Sequence, residues 1–157
     1  MKKRHINIPV FIPHLGCPNN CTFCNQRTIS GVTEFDPESV ARIIEESLST
    51  INKDDTAEIA FFGGSFTGID RELMKKLLVI ANSYLKRGRI SSIRCSTRPD
   101  YINEDVLQIL KHYGVTTVEL GLQSTSDDVL LACKRGHTFE NEIEACRKIR
   151  EAPFMIR

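Results

Sequence analysis

An excess of charge is the first thing this sequence lacks. Twenty-one Lys and Arg face 20 Asp and Glu among 157 residues, a formal net charge of +1. That balance gives no global electrostatic case for nucleic acid or for a membrane surface. No apolar run approaches the roughly 20 residues needed to span a bilayer. The opening MKKRH is basic, but INIPVFIPHLG after it is broken by Pro9 and Pro13 and carries no small-residue cleavage site. It does not read as a secretory signal. No fixed-period repeat, low-complexity segment or linker is present. Six cysteines are there, yet without an export signal a disulfide framework is not expected, and a reducing cytoplasm is the compartment this usage suggests. What the chain does have is 41% hydrophobic residues, enough for one globular core.

Apolar strands alternate with amphipathic helices. INIPVFIPHL (6–15) reads as a first strand. Asp36 followed by Pro37 marks a helix start, and Val40, Ile43, Ile44, Leu48 and Ile51 then recur at helical spacing. AEIAFF (57–62) is a second strand closed by Gly63-Gly64, and Asp70 caps a helix that ends at Gly88. ISSIRCS (90–96) and VTTVELGL (115–122) are further strands. Asn103, Ser126 and Thr138 each start a helix. The pattern predicts an α/β fold: a parallel sheet with right-handed crossovers and about four β–α units.

Ligands in such sheets sit beyond the carboxyl ends of the strands. Each predicted strand runs directly into a polar or glycine-rich stretch: CPNNCTFC, GGSFTG, STRPD and LQSTS. All four should gather on one rim.

The first of these places Cys17, Cys21 and Cys24 within eight residues. Cys-x3-Cys-x2-Cys lets three thiolates converge on one inorganic centre, with Pro18 and two Asn turning the backbone. On a four-iron cluster, three thiolates leave one iron without a protein ligand. A second reading is a zinc site completed by His14. Cys95, Cys133 and Cys146 are scattered through periodic segments and are expected to be bystanders.

The same residues resemble a known family. The cysteine triplet, with Phe23 just before its last member, resembles the signature of radical S-adenosylmethionine enzymes. Gly63-Gly64-Ser65 resembles their Gly-Gly-Glu motif, with Ser65 where the acid would stand. More narrowly, GCPNNCTFCNQRTISG, FFGGSFTGI, STRPDYI, ELGLQS and KRGHT are similar, in that order, to the radical domain of the Elongator catalytic subunit and its bacterial relatives. Oxygen-independent coproporphyrinogen oxidase is a more distant cousin.

The resemblance implies a [4Fe–4S] cluster on Cys17, Cys21 and Cys24, with S-adenosylmethionine as the missing fourth ligand. It implies reductive cleavage to methionine and a 5′-deoxyadenosyl radical, fed by a reductant such as flavodoxin or ferredoxin. A tRNA uridine or a small metabolite would be the radical's target. Phe23, Gly63, Gly64 and Ser65 would border the cosubstrate. Ser96 stands where cousins often carry a Glu for the ribose, and Gln123 and Arg135 match positions that contact ribose and carboxylate. Arginine's fork suits a carboxylate, although Arg135 also reads as a helix-end cation.

Glu119, an acid inside an apolar strand, is expected at the rim or paired with a base such as Arg98. His137 caps a loop and reads either as a residue that approaches the substrate or as an exposed one. Lys75-Lys76, Lys86-Arg87-Arg89 and Arg147-Lys148-Arg150 read as solvated helix faces. The resemblance implies that the four visible units belong to a partial (β/α) TIM-like barrel: at about 250 residues per eight-unit barrel, the six units of this family need roughly 190. Residues 1–157 therefore read as the N-terminal part of the core, stopping before strand five, because Pro153 and the polar end of APFMIR make a poor strand. An unpaired edge at the fourth strand would invite self-association.

Overall fold

The computed structural model describes residues 4–13, 15, 17, 21–25, 35–52 and 54–157. Five strands are joined by helices: β1 (His5–Ile12), α1 (Ser39–Ser49), β2 (Thr56–Gly63), α2 (Arg71–Lys86), β3 (Ser92–Thr97), α3 (Glu104–His112), β4 (Val115–Leu120), α4 (Asp127–Ala132), α5 (Phe139–Glu151) and β5 (Met155–Ile156). Short 3-10 turns at Phe66–Gly68 and Pro99–Tyr101 follow β2 and β3. Every pairing is parallel and the strands lie in chain order. A sheet wound in one direction through right-handed crossovers carries its helices on one face. That is an open arc of a (β/α) barrel, as expected, rather than a doubly wound sheet.

Period-two patterning assigns the two faces. Ile8 and Val10 of β1 lie beside Ile59 and Phe61 of β2, and Cys95 of β3 lies beside Val118 of β4. These buried residues pack with Val40 and Ile44 of α1, Met74, Leu77, Leu78 and Ala81 of α2, and Val106 and Leu110 of α3. Phe61 stacks on Phe66 with ring centroids 4.5 Å apart. Burying each such side chain contributes roughly 1.5–3 kcal/mol. The opposite face mixes Ala60 and Phe62 of β2 with charged side chains. There Arg94 of β3 reaches Glu58 of β2 (3.3 Å) and Glu119 of β4 (2.7 Å), across three neighbouring strands.

Most helix starts behave as their capping residues dictate. Asp70 accepts from the main-chain N–H groups of Glu72 and Leu73, and Asn103 from that of Val106. Thr138 and Asn141 form a reciprocal capping box. Two starts differ from expectation. Asp36 accepts from Glu38 N–H in a turn, and α1 begins only at Ser39. Ser126 makes no side-chain cap; Asp127 instead accepts from Phe139 N–H and ties α4 to α5.

The end of the sheet also corrects the sequence reading. Met155 and Ile156 form a fifth strand paired with Thr117 and Val118. Arg157 N–H donates to the Val118 carbonyl, and Leu120 N–H donates to that of Arg157. Pro153 lies ahead of the strand, so its missing N–H costs the ladder nothing. The outer edge of β4 is thereby paired at Thr117 and Val118, where an unpaired edge was expected. No helix among the described residues is long and apolar enough to cross a membrane.

Candidate functional site at the carboxyl rim

β1 delivers the chain toward the cysteine loop, which turns where Cys24 N–H donates to the Cys21 carbonyl (3.0 Å). Thr22 N–H donates to the Cys133 carbonyl (3.1 Å) and pins the loop to the end of α4. β2 delivers Gly63, whose φ of +114° suits glycine. A Cβ there would sit 2.2 Å from the Ile12 carbonyl oxygen, so the close approach of β1 and β2 requires this glycine. Gly64 N–H donates to that same carbonyl (3.0 Å).

One cavity of about 350 Å³ opens at this rim, and every site residue expected from sequence lines it. Cys17, Cys21, Phe23 and Cys24 form one wall; Gly63, Gly64, Ser65 and Ser96 come from the ends of β2 and β3; Gln123 and Arg135 come from beyond β4. Phe23 is half exposed at the lip. Gln123 holds a φ of +81°, uncommon for a residue with a Cβ and a form of strain that collects at functional sites.

Three of these side chains have partners the sequence did not disclose. Ser65 is buried, hydrogen-bonded to the Thr97 hydroxyl (2.7 Å) and accepting from Arg98 N–H (3.2 Å). Its hydroxyl thus joins β2 to β3. Arg135 is no helix-end cation: its guanidinium donates to the Gly121 carbonyl and reaches Cys21 Sγ at 3.7 Å. Ser96 donates to Glu119 at 2.6 Å.

Thr97, Arg98, Leu120 and Gly121 also line the cavity but were not assigned to it from sequence, and Glu119, expected at the rim or paired with a base, lines it too. An acid inside an apolar strand was the one available signal, for Glu119. Its basic partner is Arg94 and not Arg98, because Arg94 projects from the same sheet face. Arg98 instead forks onto Asp100, with two bonds of 2.9 Å, and donates to the Arg135 carbonyl. Its Nη1 is buried without a partner among the described residues. At Gly121 a Cβ would lie 3.1 Å from the Arg135 guanidinium, so the small residue makes room for it. His137 is fully buried rather than exposed, between Glu142 (3.0 Å) and Asp100 (3.6 Å).

Burial pushes the Cys17 thiol above its ordinary value. The Ser65 main-chain N–H and the charges of Arg98 and Arg135 oppose that rise, and nearby Cys24 adds to it. Thiols that border the guanidiniums of Arg98 and Arg135 suit a sulfur-ligated anionic group, and the cavity has volume for more than a single ion. Among the described residues, no three His, Cys, Asp or Glu side chains stand close enough to share one ion. His14, Pro18 and the two asparagines after it lie outside the described residues. The basic runs elsewhere are largely ion-paired: Lys75 with Glu72, Lys76 with Glu38, Arg89 with Glu45, and Arg147 with Glu144 and Glu151.

Comparison with known proteins places this rim in context. The chain is 28% identical over 158 aligned positions to the heme chaperone HemW of Bacillus subtilis, covering 98% of this chain and 40% of that protein. It is 30% identical to the tRNA uridine(34) acetyltransferase of Methanocaldococcus jannaschii, covering 88% of this chain and 29% of the relative. Among solved structures, Methanocaldococcus infernus Elp3 with an N-terminal deletion superposes with a TM-score of 0.68 at 23% identity, over 99% of this chain and 37% of that one. The chain therefore spans well under half the length of these relatives. The Radical SAM superfamily model matches residues 11–155, and the chain belongs to that superfamily.

Proposed function

We propose that this chain binds a [4Fe–4S] cluster and S-adenosylmethionine at the carboxyl rim, as the N-terminal part of a radical enzyme's core. The observation that carries this reading is the convergence of Cys17, Cys21 and Cys24 on one cavity with residues from the ends of β2, β3 and β4. Cys17, Cys21 and Cys24 hold the cluster. When bound, the cluster supplies the electron that cleaves S-adenosylmethionine to methionine and a 5′-deoxyadenosyl radical. Arg135 offers a fixed cation to the cosubstrate's carboxylate. Backbone carbonyls at Gly63 and Gly64, unshielded by side chains, accept from its amine. Gln123, with the Ser96–Glu119 pair, faces its hydroxyls, and Phe23 at the lip excludes water.

The Ser65 hydroxyl is tied to Thr97 and to the Arg98 N–H, so in our reading the glycine carbonyls carry the amine contact. A reductant such as flavodoxin or ferredoxin supplies the electron, and a cytoplasmic setting follows from that need. A tRNA uridine is the target class we propose, on the likeness to the tRNA uridine(34) acetyltransferase. The ion-paired basic runs make weak phosphate contacts, so tRNA recognition falls to other surfaces.

Anaerobic reconstitution with iron and sulfide tests the reading. It should give about four irons per chain with a broad charge-transfer absorption. Dithionite and S-adenosylmethionine should then yield 5′-deoxyadenosine. Stoichiometric zinc that resists exchange for iron would overturn the proposal.

A further inference from the structure

Arg98 stands apart from the other rim residues. Its side chain is 3% exposed, yet it lines the same cavity as the three cysteines. Nε and Nη2 are committed to Asp100 and to the Arg135 carbonyl, while Nη1 has no partner among the described residues. A buried N–H donor without an acceptor is destabilising, and one that lines a cavity is placed to donate to a group bound there. The guanidinium is held by Asp100 and by the Arg135 carbonyl, while the Arg98 main chain is tied through its N–H to Ser65 Oγ (3.2 Å). Burial opposes the Arg98 charge, but the bonds and charge of Asp100, with smaller help from Cys21 and Cys17, more than offset it.

We infer that Arg98 sets the charge of the cysteine pocket, its buried guanidinium stabilising the electron added to a cluster held by Cys17, Cys21 and Cys24. This rests on the function proposed above and deepens it. One-electron reduction adds a negative charge inside a poorly solvated site, where a fixed cation favours the reduced form. Asp100 opposes that effect, because its carboxylate partly neutralises the same guanidinium. The pair therefore makes a prediction of sign. Removing the cation should make reduction harder, and removing its counter-charge should make it easier.

The experiment is a dithionite titration of reconstituted protein with redox mediators, followed by the electron paramagnetic resonance signal of the reduced cluster. Arg98→Gln should lower the midpoint, by about tenfold in the reduced-to-oxidised ratio at fixed ambient potential, or ~59 mV for one electron. Arg98→Lys should stay near wild type, since it keeps the charge. Asp100→Asn should move the midpoint the opposite way. If Arg98→Gln does not load iron, Asp100→Asn decides alone. Loaded variants with the wild-type midpoint, or shifts of the same sign in Arg98→Gln and Asp100→Asn, would overturn the role of Arg98 while leaving the cluster reading intact. A wild-type chain that forms no cluster overturns both.

Discussion

The Ser96 hydroxyl donates to the Glu119 carboxylate at 2.6 Å, one strand across from it in direct register. The carboxylate is fixed from its other side by Arg94 at 2.7 Å. A site that lacks an acid at the end of β3 thus has one at the end of β4. Glu119→Ala should weaken S-adenosylmethionine binding by about 1.5–3 kcal/mol, the usual worth of a hydrogen bond to a charged group, with iron content unchanged. The double variant Ser96→Glu/Glu119→Ser should recover part of that loss by returning the acid to β3. Equilibrium dialysis on cluster-loaded protein measures both.

Gly63 joins the cysteine strand to its neighbour by having no Cβ. Gly63→Ala meets both a left-handed φ of +114° and the Ile12 carbonyl, and should destabilise the fold by more than about 1–3 kcal/mol. Gly88→Ala, at a φ of +67° with open space around it, should cost only ~1–2 kcal/mol. Thermal unfolding of the two variants side by side separates contact from conformation.

Cys95 sits fully buried under the helices, and burial, helped by the Glu119 charge, pushes its thiol up to about 12 from an ordinary 9.0. The folded chain should therefore keep Cys95 unmodified by iodoacetamide at mildly alkaline pH, while denatured chain reacts. Because the folded state holds this proton more tightly, its contribution to stability is full below about pH 9 and falls as the pH rises from there toward 12. Mass spectrometry after alkylation, and melting curves across that range, read the two effects.

His14→Ala separates the two metal readings of the cysteine loop. With an external fourth ligand, the reconstituted variant should retain about four irons per chain. Parallel loss of all metal, measured by elemental analysis, would favour a zinc site completed by that histidine.

Much of this architecture was legible because it is written in local chemistry. Period-two apolar runs, helical stripes and the caps at Asp70, Asn103 and Thr138 each depend on neighbours a few residues away. The cysteine spacing likewise declares its chemistry within eight residues. Tertiary structure decided what depends on register between distant segments. It turned the Ser65 hydroxyl into a tie between strands, gave Glu119 to Arg94 instead of Arg98, buried His137, and placed Arg98, with one nitrogen unpartnered among the described residues, in a wall of the cysteine cavity. It also made a strand of Met155–Ile156, whose local sequence is a poor strand former, because β4 presented an edge to pair with. Partner choice across a sheet is set by which side chains share a face at a given register, and no single segment carries that information.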